Sequence, residues 1–309
     1  MPRLLLISLC CGWGIFSYAQ LSLATDSSVK VLPHWKINES HNLKITASTE
    51  EFNEGKKDKS VTRFEAVFTV TGKDTSGYTI EWIYTKTDLA SNEINLENIL
   101  LANLLNQKII IKLSLTGRFK DLINYEDLQM ACDRLIDHLI STSKNDPVKN
   151  LGFTSAKQTL NSKKAIQIAL LKQIKFYNLS FGFRYKNNFT QTNQLHFPNA
   201  IGGKPFDATE KLRLTKLDTL SGTCVIERYS EMNDPASLKN SVFLYLQKTG
   251  NLDSAAIDRK FGNEIFEFRE KSTQELNYEK GIPMKSNFQR AVNFGFEKRN
   301  SDLEMITID

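Results

Sequence analysis

RFEAVFTV at residues 63–70 and YTIEWIY at residues 78–84 are the most strand-like segments of this 309-residue chain. Both are rich in β-branched and aromatic residues, which is typical of β-strands. GKDTSG at residues 72–77 is rich in turn-forming residues, so the two strands should form a hairpin. Long hairpins with short turns favour antiparallel sheets. We therefore predict an α+β fold, mainly antiparallel, with helices packed on the sheets.

A second hairpin is predicted from residues 212–217 and 223–229, and its sequence resembles that of the first. Both carry Asp-Thr, then Ser-Gly, then Ile-Glu, and a helix-prone segment follows each. This internal repeat predicts two similar β-rich halves, residues 20–150 and 151–309, each with a curved sheet against one or two helices. Two alternatives stay open: chance matching of turn residues, and one continuous sheet that wraps the helices.

The clearest predicted helix covers about residues 126–141, and Asn124 is suited to capping its N-terminus. Apolar residues recur there at steps of three and four, so one face should pack against a sheet. They are Leu128, Ala131, Cys132, Leu135, Ile136, Leu139 and Ile140. We place Leu135 and Leu139 in the middle of this stripe and His138 at its edge. Residues 141–150 then break the pattern and mark the boundary between the halves.

The first nineteen residues indicate a secretory signal peptide. Arg3 supplies a basic start, residues 4–16 form a short apolar core, and SYA at residues 17–19 precedes a cut before Gln20. The core is too short to span a bilayer, and no later segment is apolar for long enough. We expect an exported protein, periplasmic or extracellular, without a transmembrane segment after signal cleavage.

Composition and charge argue against several classes of protein. A content of 40% hydrophobic and 24% charged residues is ordinary for a globular protein. The formal charge of +5 comes from basic residues scattered among acidic ones, so no nucleic-acid partner is predicted. Two cysteines, Cys132 and Cys224, remain after signal cleavage. An oxidising compartment permits a disulfide between them, and two buried thiols are the alternative.

No residue pattern predicts a catalytic or metal site. The spacing of His34, His41, His138 and His196 matches none of the compact zinc motifs, so no metal and no other cofactor is predicted. The chain also lacks the Gly-x-Ser-x-Gly motif of a nucleophilic serine. These observations favour a protein that is not an enzyme.

HWKINE at residues 34–39, followed by LKIT at residues 43–46, resembles the opening strands of exported bacterial proteins of uncharacterised function. SYAQ at residues 17–20 and the PNAIGGKP loop at residues 198–205 add to the likeness. The chain is thus similar to an uncharacterised family of exported Gram-negative proteins, periplasmic or secreted. The resemblance implies export, and it brings no catalytic residue with it.

Export, abundant aromatic residues and the lack of a reactive motif favour a binding function. We expect non-enzymatic binding of an apolar or amphipathic small molecule, or of an envelope protein, by a concave sheet. The candidate lining residues are aromatic positions that core packing also explains: Phe64, Phe68, Trp82, Tyr84, Phe181 and Phe183. The alternatives are an exported hydrolase of envelope or extracellular polymers, and a structural envelope component.

Overall fold

The structure is a computed structural model that describes residues 24–25, 28–53, 56–89, 96–197, 199, 204–250, 255, 258–259, 262–294 and 297–308. The predicted signal peptide, residues 1–19, and most of the loop at residues 198–205 lie outside these residues. The described strands are β1 (Ala24–Thr25), β2 (Ser28–Lys30), β3 (Ser40–Asn53), β4 (Lys56–Asp74), β5 (Gly77–Leu89), β6 (Lys108–Leu113), β7 (Phe119–Leu122), β8 (Arg184–Lys186), β9 (Thr190–Phe197), β10 (Phe206–Asp218), β11 (Thr223–Met232), β12 (Phe266–Asn277), β13 (Ile282–Phe294) and β14 (Glu297–Ile308). The helices are α1 (Leu96–Asn103), α2 (Tyr125–Thr142), α3 (Pro147–Thr159), α4 (Lys163–Leu170), α5 (Lys172–Tyr177) and α6 (Pro235–Gly250).

Eleven strands form one antiparallel sheet, in the order β7-β6-β5-β4-β3-β14-β13-β12-β11-β10-β9. Two meanders, β3 to β7 and β9 to β14, meet where β14 pairs with β3 from Glu297↔Asn53 to Ile308↔Asn42. A second sheet has the order β1-β2-β8. With 52% strand and 25% helix, the prediction of a mainly antiparallel α+β fold is confirmed. The strands of both predicted halves share one continuous sheet, and the predicted boundary at residue 150 lies within α3.

Both predicted hairpins are present, as the pairs β4–β5 and β10–β11. Their turns place Gly77 at φ +146° and Gly222 at φ +66°, where residues with a side chain are strained. A Cβ on Gly77 would also lie 1.8 Å from the carbonyl oxygen of Leu113. In each turn one aspartate, Asp74 or Asp218, accepts hydrogen bonds from two backbone N–H groups. The turn chemistry therefore fixes where each hairpin reverses.

One face of the large sheet, called the inner face below, carries helices. Alternate residues of β4 from Phe64 to Val70 are buried on this face, and the residues between them are more exposed. The same period of two runs through β10 from Phe206 to Leu214. The helix side contributes buried residues of α1, α2, α4 and α5 to the same apolar core. The sheet is thus apolar where the helices cover it.

α2 covers the helix predicted over about residues 126–141. Its buried residues are Leu128, Ala131, Cys132 and Ile136, whereas Leu135 and Leu139 are only half-buried. The buried stripe follows the four-residue row through residues 128, 132 and 136, so it passes through Ile136 rather than through Leu135 and Leu139. His138 is exposed, as expected for the edge. None of the described helices is both long and apolar enough to cross a membrane.

Candidate functional site

The six aromatic residues predicted to line a ligand site lie in or against the core between sheet and helices: Phe64, Phe68, Trp82, Tyr84, Phe181 and Phe183. The first five are at most 2% exposed, and the sixth is half-buried. The ring centroid of Trp35 lies 4.8 Å from that of Phe68 and 5.4 Å from that of Phe181. These side chains pack against one another, and the groove described next has other residues as its walls.

A groove of about 510 Å³ opens on the inner face of the sheet, beside α4 and α5. Residues of β11, β12, β13 and β14 form one wall of this inner-face groove, and the other wall comes from α4, α5 and Leu179. Its volume is in the range of small-molecule sites, which cover roughly 300–1,000 Å³. The helices that follow the first meander thus create the groove, because they cover only part of the sheet.

Apolar side chains line both walls of the groove. Phe176 of α5 and Phe288 of β13 pack edge to face, with ring centroids 5.3 Å apart. Leu303 of β14 and Leu179 extend this apolar surface. Ile168 of α4 is 62% exposed at the groove. An apolar group in the groove would therefore remove accessible hydrocarbon surface from water.

A fixed ion pair crosses the sheet wall. Arg290 of β13 and Glu270 of β12 are register partners, and both Nε and Nη2 of Arg290 donate to Oε1 of Glu270, at 2.8 and 2.6 Å. The guanidinium also lies 5.5 Å from the ring centroids of Phe268 and Phe288. Because the carboxylate and two aromatic rings hold it, Arg290 presents its charge in one orientation.

A second ion pair lies on the neighbouring strands. Nε of Arg228, on β11, pairs with Oε1 of Glu210, on β10, and Nδ2 of Asn193 donates to the other oxygen of the same carboxylate at 2.9 Å. Glu210 is only 6% exposed, so its charge needs these partners. The terminal nitrogens of Arg228 are not engaged by any residue that the structure describes. They are donors that a ligand can use.

Ser230 is the buried polar residue of the groove that stays unpaired. It is 1% exposed and lies in register between Glu210 of β10 and Glu270 of β12. Its Oγ has no hydrogen-bond partner among the described residues, although Ser230 lines the groove. An unpaired buried hydroxyl costs about 1–3 kcal/mol. A ligand atom that hydrogen-bonds to Ser230 would remove this cost.

Lys175 of α5 contributes a partly desolvated cation. Its Nζ lies 5.1 Å from the ring centroid of Phe119, and Lys175 lines the groove. Burial lowers the pKa of its ammonium group, because the charged form loses contact with water. A nearby negative charge would reverse this effect.

The histidines lie away from the groove. His41 pairs with Glu39, with 3.0 Å between Nε2 and Oε1, and His196 pairs with Asp207, with 2.8 Å between Nδ1 and Oδ1. Burial and the positive charge of Lys73 lower the pKa of His34. Within the part of the chain that the structure describes, no group of three His, Cys, Asp or Glu residues is arranged to hold a metal ion.

Cys132 and Cys224 are free, buried thiols in the structure, so the disulfide that the sequence permits is not formed there. Burial raises the pKa of the Cys132 thiol to about 11 and that of the Cys224 thiol to about 12. Thiols of this kind are poor nucleophiles, since the thiolate is the reactive form.

The sequence of β12 contains a signal for the groove that does not depend on aromatic residues. Every second residue of β12 lies on the inner face. Along this row, Phe266 and Phe268 are followed by three polar residues, Glu270, Ser272 and Gln274, and then by the apolar Leu276. Polar residues at strand positions that face the core indicate either a buried hydrogen-bond network or a binding surface. Here they form both: Glu270 and Ser272 line the groove, and Gln274 lies deeper.

No protein-family model matches this chain, and no curated protein matches it. Among solved structures, a chain described under "lipid-protein interactions in lipovitellin" is similar, with a TM-score of 0.46 and 10% sequence identity. The match covers 89% of this chain and 25% of that chain, so this protein spans about a quarter of the length of the lipovitellin structure.

Proposed function

We propose that this protein binds an amphipathic small molecule in the inner-face groove without catalysing a reaction on it. The observation that carries the proposal is the combination of apolar walls and two fixed arginine–carboxylate pairs at one cavity of about 510 Å³. Small-molecule sites typically combine mostly apolar walls with a few positioned polar groups. A hydrolase would instead need a general base and its partners in the cleft, and the described walls contain Glu270 as their single carboxylate.

Under this proposal the six buried aromatic residues support the site rather than form its walls. Phe68 packs against Tyr177 of α5, with ring centroids 5.4 Å apart, and Tyr84 donates a hydrogen bond to Oε1 of Gln173 on the same helix at 3.2 Å. These contacts hold α5 against the sheet. Phe176, on the same helix, then lies at the groove.

The binding function is tested with a neutral apolar probe, N-phenyl-1-naphthylamine, whose fluorescence rises in an apolar site. Ile168→Glu places a charge at the groove, whereas the control Ile123→Glu changes an isoleucine that is 53% exposed after β7. We expect wild type to bind the probe, Ile168→Glu to weaken binding at least about tenfold, and Ile123→Glu to leave it unchanged. Both substitutions should preserve the melting temperature, since both side chains are exposed. Lack of binding to wild type, or equal effects of the two variants, would refute the proposal.

We also propose that the protein is exported and loses residues 1–19. The basic start, the short apolar core and the SYA exit support this, and a binding protein of the periplasm or the cell exterior fits the proposed function. Mass analysis of the N-terminus of protein from its own host should find Gln20 first. Retention of residues 1–19 would contradict the proposal.

We further propose that the two meanders derive from a duplication that produced two similar halves. Both run in the same direction across the sheet, and each places a helix between its hairpin and the next strand, as β4-β5-α1-β6 and β10-β11-α6-β12. The turn aspartates Asp74 and Asp218 support the same alignment. Asn-Tyr-Glu also occurs twice in the chain, at residues 124–126 and 277–279. These two segments do not follow the same alignment, because the first comes after β7 and the second comes at the end of β12. In an experimental structure the two hairpins should superpose together with α1 and α6; superposition of the turns alone would indicate chance.

A further inference from the structure

We propose that the ligand of the inner-face groove carries an oxyanion head group, a carboxylate or a phosphate, attached to its apolar part. This inference rests on the proposed function and specifies the class of ligand. The geometry points to it through three observations: an excess of basic side chains around the groove, arginine donors without a protein partner, and a buried hydroxyl without a partner.

The charge around the groove is positive. Among the described residues, one carboxylate, that of Glu270, lines the groove, and four basic residues line it from the inner face or the helices: Lys172, Lys175, Arg228 and Arg290. Lys271 also borders the groove, but it alternates with Glu270 and Ser272 on β12, so its side chain lies on the opposite face of the sheet. Glu210, next to the groove, neutralises Arg228, and Glu270 neutralises Arg290. Lys175 then leaves the charge at the groove positive. A cationic head group would meet this excess and compete for carboxylates that are already paired, whereas an anion would be attracted.

The donors are close enough to share one head group. Arg228 and Ser230 are two residues apart on β11 and face the same side, about 7 Å apart along the strand. Arg290 lies two strands further across the sheet, about 10 Å away. An oxyanion between Arg228 and Ser230 would accept from the free guanidinium nitrogens and from the unpaired Oγ. The apolar part would then extend across the sheet over Phe288 and Leu303.

Three amphiphiles with the same tail length test the head group by displacing the neutral probe: dodecanoate, dodecyl phosphate and methyl dodecanoate. We expect either anion to displace the probe at a concentration at least about tenfold lower than the methyl ester, because hydrogen bonds to charged groups are the stronger ones. Added NaCl should reduce this preference. Inorganic phosphate alone should leave the probe in place because it has no tail. Displacement by inorganic phosphate alone would show that the tail is not part of recognition and would overturn the inference.

Two variants test the residues. Ser230→Ala removes a hydroxyl that has no protein partner, so the fold should be preserved while the preference for the anions falls about tenfold. Lys175→Gln should reduce the preference in the same direction. The control Lys86→Gln, an exposed lysine paired with Glu65 on the opposite side of the sheet, should not change it. If wild type binds all three amphiphiles equally and the variants change nothing, the head-group inference is wrong and the binding proposal stands. If nothing displaces or binds the probe, the binding proposal itself fails.

Discussion

Gln274 should be the buried polar residue on which the position of α5 most depends. It is 1% exposed, and its Nε2 donates to the carbonyl oxygens of Phe176 at 3.0 Å and of Tyr177 at 3.4 Å, and to Oγ of Ser286 at 2.9 Å. Its Oε1 accepts from Oγ of Ser180. Both polar atoms of the Gln274 amide thus have hydrogen-bond partners. These bonds join β12 to β13, to α5 and to the turn that follows α5.

Gln274→Leu keeps the side-chain volume similar and removes all of these hydrogen bonds. The carbonyl of Phe176 retains a bond from the N–H of Leu179 at 3.2 Å, so its loss is small. The hydroxyls of Ser180 and Ser286, 4% and 1% exposed, lose the partner described for them. At about 1–3 kcal/mol for each unpaired buried hydroxyl, the variant should lose about 2–6 kcal/mol of unfolding free energy.

Urea denaturation followed by the fluorescence of the buried tryptophans measures this loss. The matched control is the triple variant Ser180→Ala, Gln274→Leu, Ser286→Ala, which removes both sides of the hydrogen bonds. Since replacing both partners is close to neutral, the triple variant should be more stable than Gln274→Leu alone, by about 2 kcal/mol or more. A loss below about 0.5 kcal/mol in Gln274→Leu, or a triple variant that is equally unstable, would refute the reasoning.

Three further predictions follow from the packing. Ile136 is 0% exposed, so Ile136→Ala should lose about 2–5 kcal/mol of unfolding free energy in urea denaturation. His138 is exposed, so His138→Ala should change this free energy by less than about 0.5 kcal/mol. A larger loss in His138→Ala than in Ile136→Ala would show that α2 faces the other way. Gly77→Ala should destabilise far more than Gly222→Ala, because the new Cβ would meet a backbone oxygen at 1.8 Å in the first turn and the flexible side chain of Glu279 in the second; equal losses would contradict this. Burial raises the pKa of the two described thiols from 9.0 to about 11 and about 12. Their contribution to stability should be complete below pH 9 and be lost above it, because the unfolded state ionises first, and replacing both by alanine should remove this part of the pH dependence measured by denaturation.

The strands and their direction could be predicted from the sequence, because their signals are local. Phe64 to Val70 and Tyr78 to Tyr84 are rich in β-branched and aromatic residues, and the turn between them contains the glycine and aspartate that the turn needs. How the strands combine could not be predicted. The pairing of β14 with β3 joins residues more than 240 positions apart in the chain. The local sequence of neither strand indicates which strand it pairs with. The choice between two sheets and one therefore depended on a long-range contact.

The location of the groove could not be predicted from the sequence either. Aromatic residues such as Phe68 and Trp82 are common to packed cores and to ligand sites, so their number favoured binding without locating it. The groove depends on where α4 and α5 leave the inner face uncovered, which is a property of helix packing. The register of β11, β12 and β13 then brings Ser230, Glu270 and Arg290 side by side. No spacing along the chain links these three residues.

The polar row across the inner face is costly for a protein that needs only to fold. Glu210, Ser230, Glu270 and Arg290 lie between the large core under α2 to α5 and a smaller apolar cluster under α6, which includes Phe266. Apolar residues at these positions could merge the two clusters, and replacing partly buried ion pairs by apolar side chains is often neutral or stabilising. Stability alone therefore does not account for charges on this face. A groove that must hold a polar head group beside an apolar tail does account for them, because it needs fixed donors where the sheet would otherwise be closed by packing.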